Sequence, residues 1–454
     1  MTSPLILVTG ATGYIASLLI PQLLKRGYRV RALARQPERL QARTWYPQVE
    51  MVRGDVMQPE TLVSALDGVQ TAYYLIHNMS FGRGYTSIEI EGARNFAEAA
   101  ERMGVEHIIY LGGLADPEQH IAPHMRSRIE TGATLRKGSV PVTEFRAGVV
   151  TGSGSISFEM IRFMAELFPI VPGPTWLNNK SQPIAVQNVL DYLLAALTNA
   201  NGRGGVFEIG VPKIFTYKDL MRIYAEIRGH KRRFILLPFI PVGFMAFGIG
   251  LMTPVPRKIA YALVGGLSTD SVILHSVAET TFPEVLLMEY ESAVAEALKR
   301  LHPLKIERVW EDGLGGVKIL KHEGFFIDHR EMKVNAPTEK IMEVVKGFDK
   351  NSDWIFANWL WRLRGWFENH TTDFYEIDLN ESEHVLFRST LKAPGDGWME
   401  WRVKDGVLKQ TAYFAPRGLG RFLYWYLLAP FHSYLFRGLL KTIAKKSGGT
   451  IIST

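Results

Sequence analysis

The stretch "VTGATGYIA", residues 8–16, sets Gly10, Gly13 and Ala16 in a G-x-x-G-x-x-A pattern. It follows the apolar run "LILV" and opens an amphipathic segment. At a strand-to-helix turn, the first glycine permits the tight bend and the second lets the backbone approach a pyrophosphate. A small third residue lets helix and sheet pack closely. Free N–H groups and the dipole at a helix start favour an anion there. Gly10, Thr12, Gly13, Tyr14 and Ile15 are therefore candidate phosphate contacts. A chain that binds NAD carries an acid at the end of its second strand, about twenty residues further on. Here "RVRALAR" ends at Arg35 with no acid in that position. A guanidinium pairs with a 2′-phosphate, so the pattern points to NADP. After the third strand, "GDV" places Asp55, beside Val56, to accept from an adenine amino group.

These residues need a scaffold. The first 150 residues alternate buried runs with amphipathic ones: "LILVTG", "RVRALAR", "VEMVRGDV", "TAYYLIH", "HIIYLGG" and "VPVTEFRAGVV" as strands, with "ASLLIPQLLKRG", "ETLVSALDG" and "IEIEGARNFAEAAERMG" as helices. Such alternation means βαβ units and a parallel sheet with helices on both faces. Residues 151–315 are less regular and read as a small lobe on that sheet. From 320 to 454 the pattern is strand, helix, three more strands and a long aromatic helix, an α+β domain of its own. The loop "EDGLGG" near residue 313 reads as the boundary.

The chain has 454 residues, 47% apolar and 21% charged, with no cysteine. That excludes disulfides, thiolate metal sites and a cysteine nucleophile. His322 and His329 lack metal-ligand spacing, so no metal is expected. The net charge of +7 has no long Lys/Arg run behind it, which argues against a nucleic-acid partner. "MTSPLILVTGATG" lacks a basic n-region, and the reading is a cytoplasmic protein, with membrane association left open. One stretch bears on that point: Phe234 to Pro256 carries no charge and is flanked by "KRR" and "RK". Pro238 and Pro241, then Gly243, Gly248 and Gly250, interrupt it. It can be a substrate-lining segment, a peripheral membrane contact or a span.

The residues "TGATGYIA", "ALARQP", "GDV", "AYYLIHNM", "EGARNFAEAA" and "IIYLGGL" together resemble the short-chain dehydrogenase/reductase superfamily, in its atypical NmrA-like branch. The resemblance implies a Rossmann-like doubly wound parallel sheet, NADP as cofactor, and ribose contacts at Ile76, His77 and Gly112. "LWRLRGW", "TAYFAPRGLGRFLYWYLLAPFH" and "FRGLL" are similar to a C-terminal domain of unknown function of START-like, helix-grip type. Active members of the superfamily use Tyr-x-x-x-Lys. In "PHMRSRIE" this chain has His124 and Arg128 at those positions, and "LGGL" lacks the hydroxyl that usually holds a substrate carbonyl. One helical turn separates the pair, so they share a face. Histidine exchanges protons near neutral pH, while Arg128 holds ribose or phosphate. Arg128 is expected to lower the pKa of His124, leaving a small protonated fraction to donate, with activity falling as pH rises through that value.

Three functions stay open on this evidence. The first is an NADP-dependent oxidoreductase acting on an apolar or lipid-like small molecule. The second is a non-catalytic NADP(H) sensor. The third is a lipid carrier working through the tail domain, whose terminal helix would turn Tyr424, Leu427, Phe431 and Leu435 towards the sheet. Oligomeric state is not legible.

Overall fold

A computed structural model describes residues 3–41, 43–77, 85–238, 240–252, 261, 264–305, 318–322, 325–347, 375–390, 395–416 and 419–452. The chain divides into two compact units, Met1–Ala165 with Pro169–Glu311, and Glu166–Phe168 with Asp312–Thr454.

The first unit is built on strands β1 (Leu5–Val8), β2 (Arg29–Ala34), β3 (Glu50–Arg53), β4 (Thr71–Tyr74), β5 (His107–Gly113) and β6 (Val142–Ala147). After them come β7 (Val150–Thr151), β8 (Ile170–Pro174), β9 (Lys180–Ser181), β10 (Ile184–Ala185), β11 (Val206–Ile209), β12 (Phe215–Thr216) and β13 (Arg233–Leu237). Seven of these strands form one sheet in the order β11-β6-β5-β4-β1-β2-β3. Every pairing in it is parallel. Side chains alternate across a strand, and β1 shows the result. Leu5 and Leu7 join Ala72, Tyr74, Ile108 and Phe96 on one face. Ile6 and Val8 join Leu19, Leu23, Tyr73 and Leu190 on the other. The helices are α1 (Tyr14–Lys25), α2 (Pro59–Leu66), α3 (Tyr85–Arg102), α4 (Pro123–Leu135), α5 (Ile156–Leu167), α6 (Val186–Ala195), α7 (Tyr217–Ile227), α8 (Val242–Met252), α9 (Ala278–Thr281) and α10 (Tyr290–Lys299). Helices α1 and α6 cover one face of the sheet, and α2 and α3 the other. The expected strands and crossover helices of the first 150 residues are all present.

In the lobe, β8 and β13 form a separate parallel pair. The charge-free stretch from Phe234 is not one element. Pro238 and Pro241 fall between β13 and α8, so the run becomes a short strand and an eleven-residue helix. Among the described residues no helix is long and apolar enough to cross a membrane.

In the second unit, β14 (Lys318–His322), β15 (Phe325–Asn335), β16 (Tyr375–Asn380), β17 (His384–Ser389), β18 (Gly395–Lys404), β19 (Val407–Pro416) and β20 (Thr450–Ile452) make an antiparallel sheet. Its main path runs β14-β15-β19-β18-β17-β16, and β20 pairs with β15. The helix Thr338–Lys346 and the 28-residue terminal helix Leu419–Lys446 complete the described part. The expected stripe on the terminal helix is misplaced. Leu427 is 77% exposed and Phe431 48%, whereas Leu435 is buried. The buried arc is instead Trp425, Phe436, Leu440 and Ile443. At about 100° per residue, Leu427 lies roughly 200° round the helix from Trp425 and so points away. Trp425 stacks on Phe414 at 5.3 Å. The side chain of Tyr424, and the segments "EDGLGG" and "LWRLRGW", lie outside the described residues.

Candidate functional site

The order of the main parallel sheet reverses direction between β1 and β4. In open α/β sheets, ligands lodge at such a switch point, beyond the carboxyl ends of the strands. A cleft of about 300 Å³ lies there. Eight of the sequence candidates line it: Gly10, Thr12, Gly13, Arg35, Asp55, Val56, Ile76 and His77. They come from four different loops, after β1, β2, β3 and β4, which the parallel topology brings to one edge.

The cradle is tight. Gly10 has φ +64°, and a Cβ there would stand 2.6 Å from the Leu75 carbonyl oxygen. The Gly13 N–H donates to the Gly10 carbonyl at 2.7 Å, closing the turn. Helix α1 has no side-chain cap and no acid in its first turn. Its leading N–H groups therefore suit an anionic guest. Tyr14 and Ile15 open that helix. Gly10→Ala should destabilise the chain by at least about 1–2 kcal/mol, because an L-residue pays that for a left-handed backbone before any clash. Urea denaturation measures it, and an unchanged midpoint would contradict the geometry.

At the second strand the two arginines divide the work. Arg31 is buried, bonded to Glu50 at 2.8 Å and to the carbonyls of Ala65 and Asp67. Arg35 is exposed on the rim of the cleft. Asp55 spends one carboxylate oxygen on the Met57 N–H at 3.0 Å. The Val56 carbonyl accepts from Asn95 at 2.9 Å, which holds this loop against α3.

The other candidates gather at the neighbouring strand end, between β5 and α4. Gly113 is bare because a Cβ there would meet Arg128 Cδ at 3.0 Å. At Gly112 the same space faces the Tyr110 ring at 3.1 Å. The Tyr110 hydroxyl donates to the Arg128 carbonyl at 2.9 Å, and its ring meets His77 edge-on at 6.5 Å. Ser127 donates to the buried Glu89 of α3. His124 is 4% exposed. Burial first, and the Arg128 charge second, push its imidazole down to about 3. His77 is lowered by the same two causes, opposed by a backbone hydrogen bond at Leu111. The expected depression of His124 is thus present but goes further than Arg128 alone would take it. At neutral pH the protonated fraction is only about one in ten thousand. The imidazole here is a neutral hydrogen-bonding group.

Sequence reasoning missed the residue that covers His124. A Cβ on Gly266 would lie 2.7 Å from the imidazole Cε1 and 2.8 Å from Nε2. No local signal announces this contact, since the two residues are far apart in the chain. It also missed Leu75, whose carbonyl shapes the cradle and whose N–H donates to Thr9 Oγ1 at 3.0 Å. Among the described residues no cluster of His, Asp and Glu could hold a metal ion.

A parallel sheet with a glycine cradle at its switch point defines a dinucleotide-binding fold of the Rossmann type. The NmrA-like family profile matches residues 2–241, and the chain belongs to that family. Residues 322–439 match a second family, a protein of unknown function designated DUF2867. The chain is similar to the photosystem II assembly factor Ycf39 of Cyanophora paradoxa, 24% identical over 325 residues, covering 65% of this chain and 95% of that one. It is 30% identical over 115 residues to a 3 beta-hydroxysteroid dehydrogenase/Delta 5-->4-isomerase of Mycobacterium tuberculosis, a match spanning 23% of this chain and 30% of that protein. Among solved structures, the triphenylmethane reductase of Citrobacter sp. complexed with NADP(H) superposes with a TM-score of 0.52 at 21% identity, over 64% of this chain and 99% of that one.

Proposed function

We propose that this chain binds NADP(H) and works as a reductase of an apolar small molecule. The observation that carries the reading is the switch-point cleft with Arg35 on its rim and no acid at the end of β2. The cradle fits the group: the Gly10 turn, closed by the Gly13 N–H, sets the α1 N-terminus at the cleft with no side-chain cap and no acid in its first turn. The α1 N-terminus would hold the pyrophosphate, Arg35 the 2′-phosphate, and Asp55 the adenine amino group. Ile76, His77, Gly112 and Arg128 would border the ribose and nicotinamide. When bound, the cofactor supplies or accepts hydride. His124 and Arg128 take the places of the superfamily's tyrosine and lysine. Because His124 stays neutral, its role is to hold a substrate oxygen by hydrogen bonding. The NADP(H) in the Citrobacter structure supports the cofactor assignment, and the steroid in the mycobacterial relative's name supports an apolar substrate.

An apolar cavity of about 40 Å³, lined by Met160, Met164, Met221, Met245 and Leu267, the neighbour of Gly266, has room for little more than a water and not for a substrate. Arg35→Ala tests the cofactor assignment. Losing one charge-assisted contact, worth roughly 1.5–3 kcal/mol, should weaken NADP about ten- to a hundredfold and leave NAD nearly unchanged. Equal losses for both nucleotides in calorimetry would rule out Arg35 as the 2′-phosphate contact.

One observation favours the second reading, a cofactor-binding sensor without turnover. His124 is 4% exposed and packed against Gly266, so its imidazole is closed to a substrate in this structure. For the C-terminal unit we infer a START-like helix-grip fold, supported by the antiparallel sheet and the long terminal helix. Among the described residues, Leu439, Leu440 and Ile443 pack with Trp401 and Val385 in one core.

A further inference from the structure

We infer that the β8–β13 ribbon and helix α8 form a docking surface for an anionic lipid bilayer. The ribbon has an unpaired apolar face. Its register sets Ile170 beside Arg233 and Pro172 beside Ile235. Ile170 and Ile235 are each 50% exposed and Leu237 44%. Beyond Pro241, α8 turns Met245 and Ala246 inward and leaves Phe244 71% exposed. Tyr261, a little further on, is 60% exposed. Large side chains concentrated this way on consecutive elements mark an interaction surface rather than ordinary scatter.

Charge selects the occupant. Between Glu226 and Asp270 the sequence has six cations, Arg228, Lys231, Arg232, Arg233, Arg257 and Lys258, and no acid. Of these, Lys231 and Arg233 are exposed at the start of β13, next to the apolar face. Apolar side chains flanked by cations match the interface of an anionic bilayer, where acyl chains lie just below negative headgroups. A second copy of the chain fits poorly. A two-fold interface would set this face against itself and bring its cations together. The docking proposal is independent of the reductase reading, and its readout is binding rather than turnover.

Co-sedimentation of the full chain with vesicles tests it. Vesicles of phosphatidylcholine and phosphatidylglycerol in equal parts should bind the chain, and phosphatidylcholine alone at least about tenfold more weakly. Lys231→Gln and Arg233→Gln should each reduce binding about fivefold, and added salt should do the same. Phe244→Ser should reduce it about tenfold by removing one inserted ring. Ile235→Ser, on the other element, gives an independent second variant should the helix variant misfold. Equal binding to both vesicle types, no binding to either, or full binding by both serine variants would each overturn the proposal. So would a dimer in sedimentation equilibrium that Phe244→Ser dissolves.

Discussion

Lowering the pH from about 6 to about 4 should cost the N-terminal unit roughly 2 kcal/mol of stability per pH unit. The cause is histidine buried without its proton. Burial and the nearby Arg203 bring His107 down to about 4, and burial and Arg128 bring His124 to about 3, both from 6.5. His77 is lowered in the same direction. A histidine lowered by folding takes up its proton first in the unfolded chain. The stability it contributes is therefore complete above about 6.5 and is lost as the pH falls towards the folded values. Urea midpoints across this range give the slope. His107→Asn and His124→Asn, each neutral throughout, should flatten it. A variant slope equal to that of the parent chain would show that other groups govern acid unfolding.

His124→Ala should cut turnover by about 10²–10³, the usual loss when one hydrogen-bond donor to the reacting oxygen is removed. Cofactor affinity should be unchanged. Arg128→Ala should do the opposite and raise the NADP dissociation constant. The sequence alone implies a rate that falls as the pH rises through a His124 pKa lowered by Arg128. With His124 at about 3, its contribution should instead be flat from about pH 5.5 to about 8. A broad screen of apolar carbonyl and quinone compounds with NADPH provides the assay. If both variants fold, Arg128→Ala alone loses NADP and no compound turns over, the sensor reading replaces the reductase.

The parts of the cofactor site that could be read in advance are those with a local signature. Gly10 and Gly13 sit in a turn whose geometry requires them, and Arg35 and Asp55 follow strands whose apolar runs mark their ends. Strand ends in a parallel sheet share one edge, so the order of residues along the chain becomes proximity in space. Contacts made by folding alone were not legible. The Gly266 backbone against His124 is one. Glu144 is another: wholly buried, paired with Arg136 and Arg146, and given room by Gly132. The terminal helix misled for a different reason. It carries large rings on every side and a proline at Pro430, so its apolar period does not single out the buried arc.

The bonds that shape the cradle also limit how the chain can change in length. Thr9 Oγ1 accepts from the Leu75 N–H, Gly10 rests on the Leu75 carbonyl, and Gly13 closes back on Gly10. Each link fixes how many residues lie between its ends. One residue added or removed between Val8 and Ala16, or between Tyr73 and His77, would shift every partner beyond it. The stretch after Arg35 carries no such clamp to the cradle, and its short helical turn at Pro37–Leu40 lies mostly in solvent. Chains descended from the same ancestor should therefore keep the two cradle segments at constant length and collect their insertions after β2.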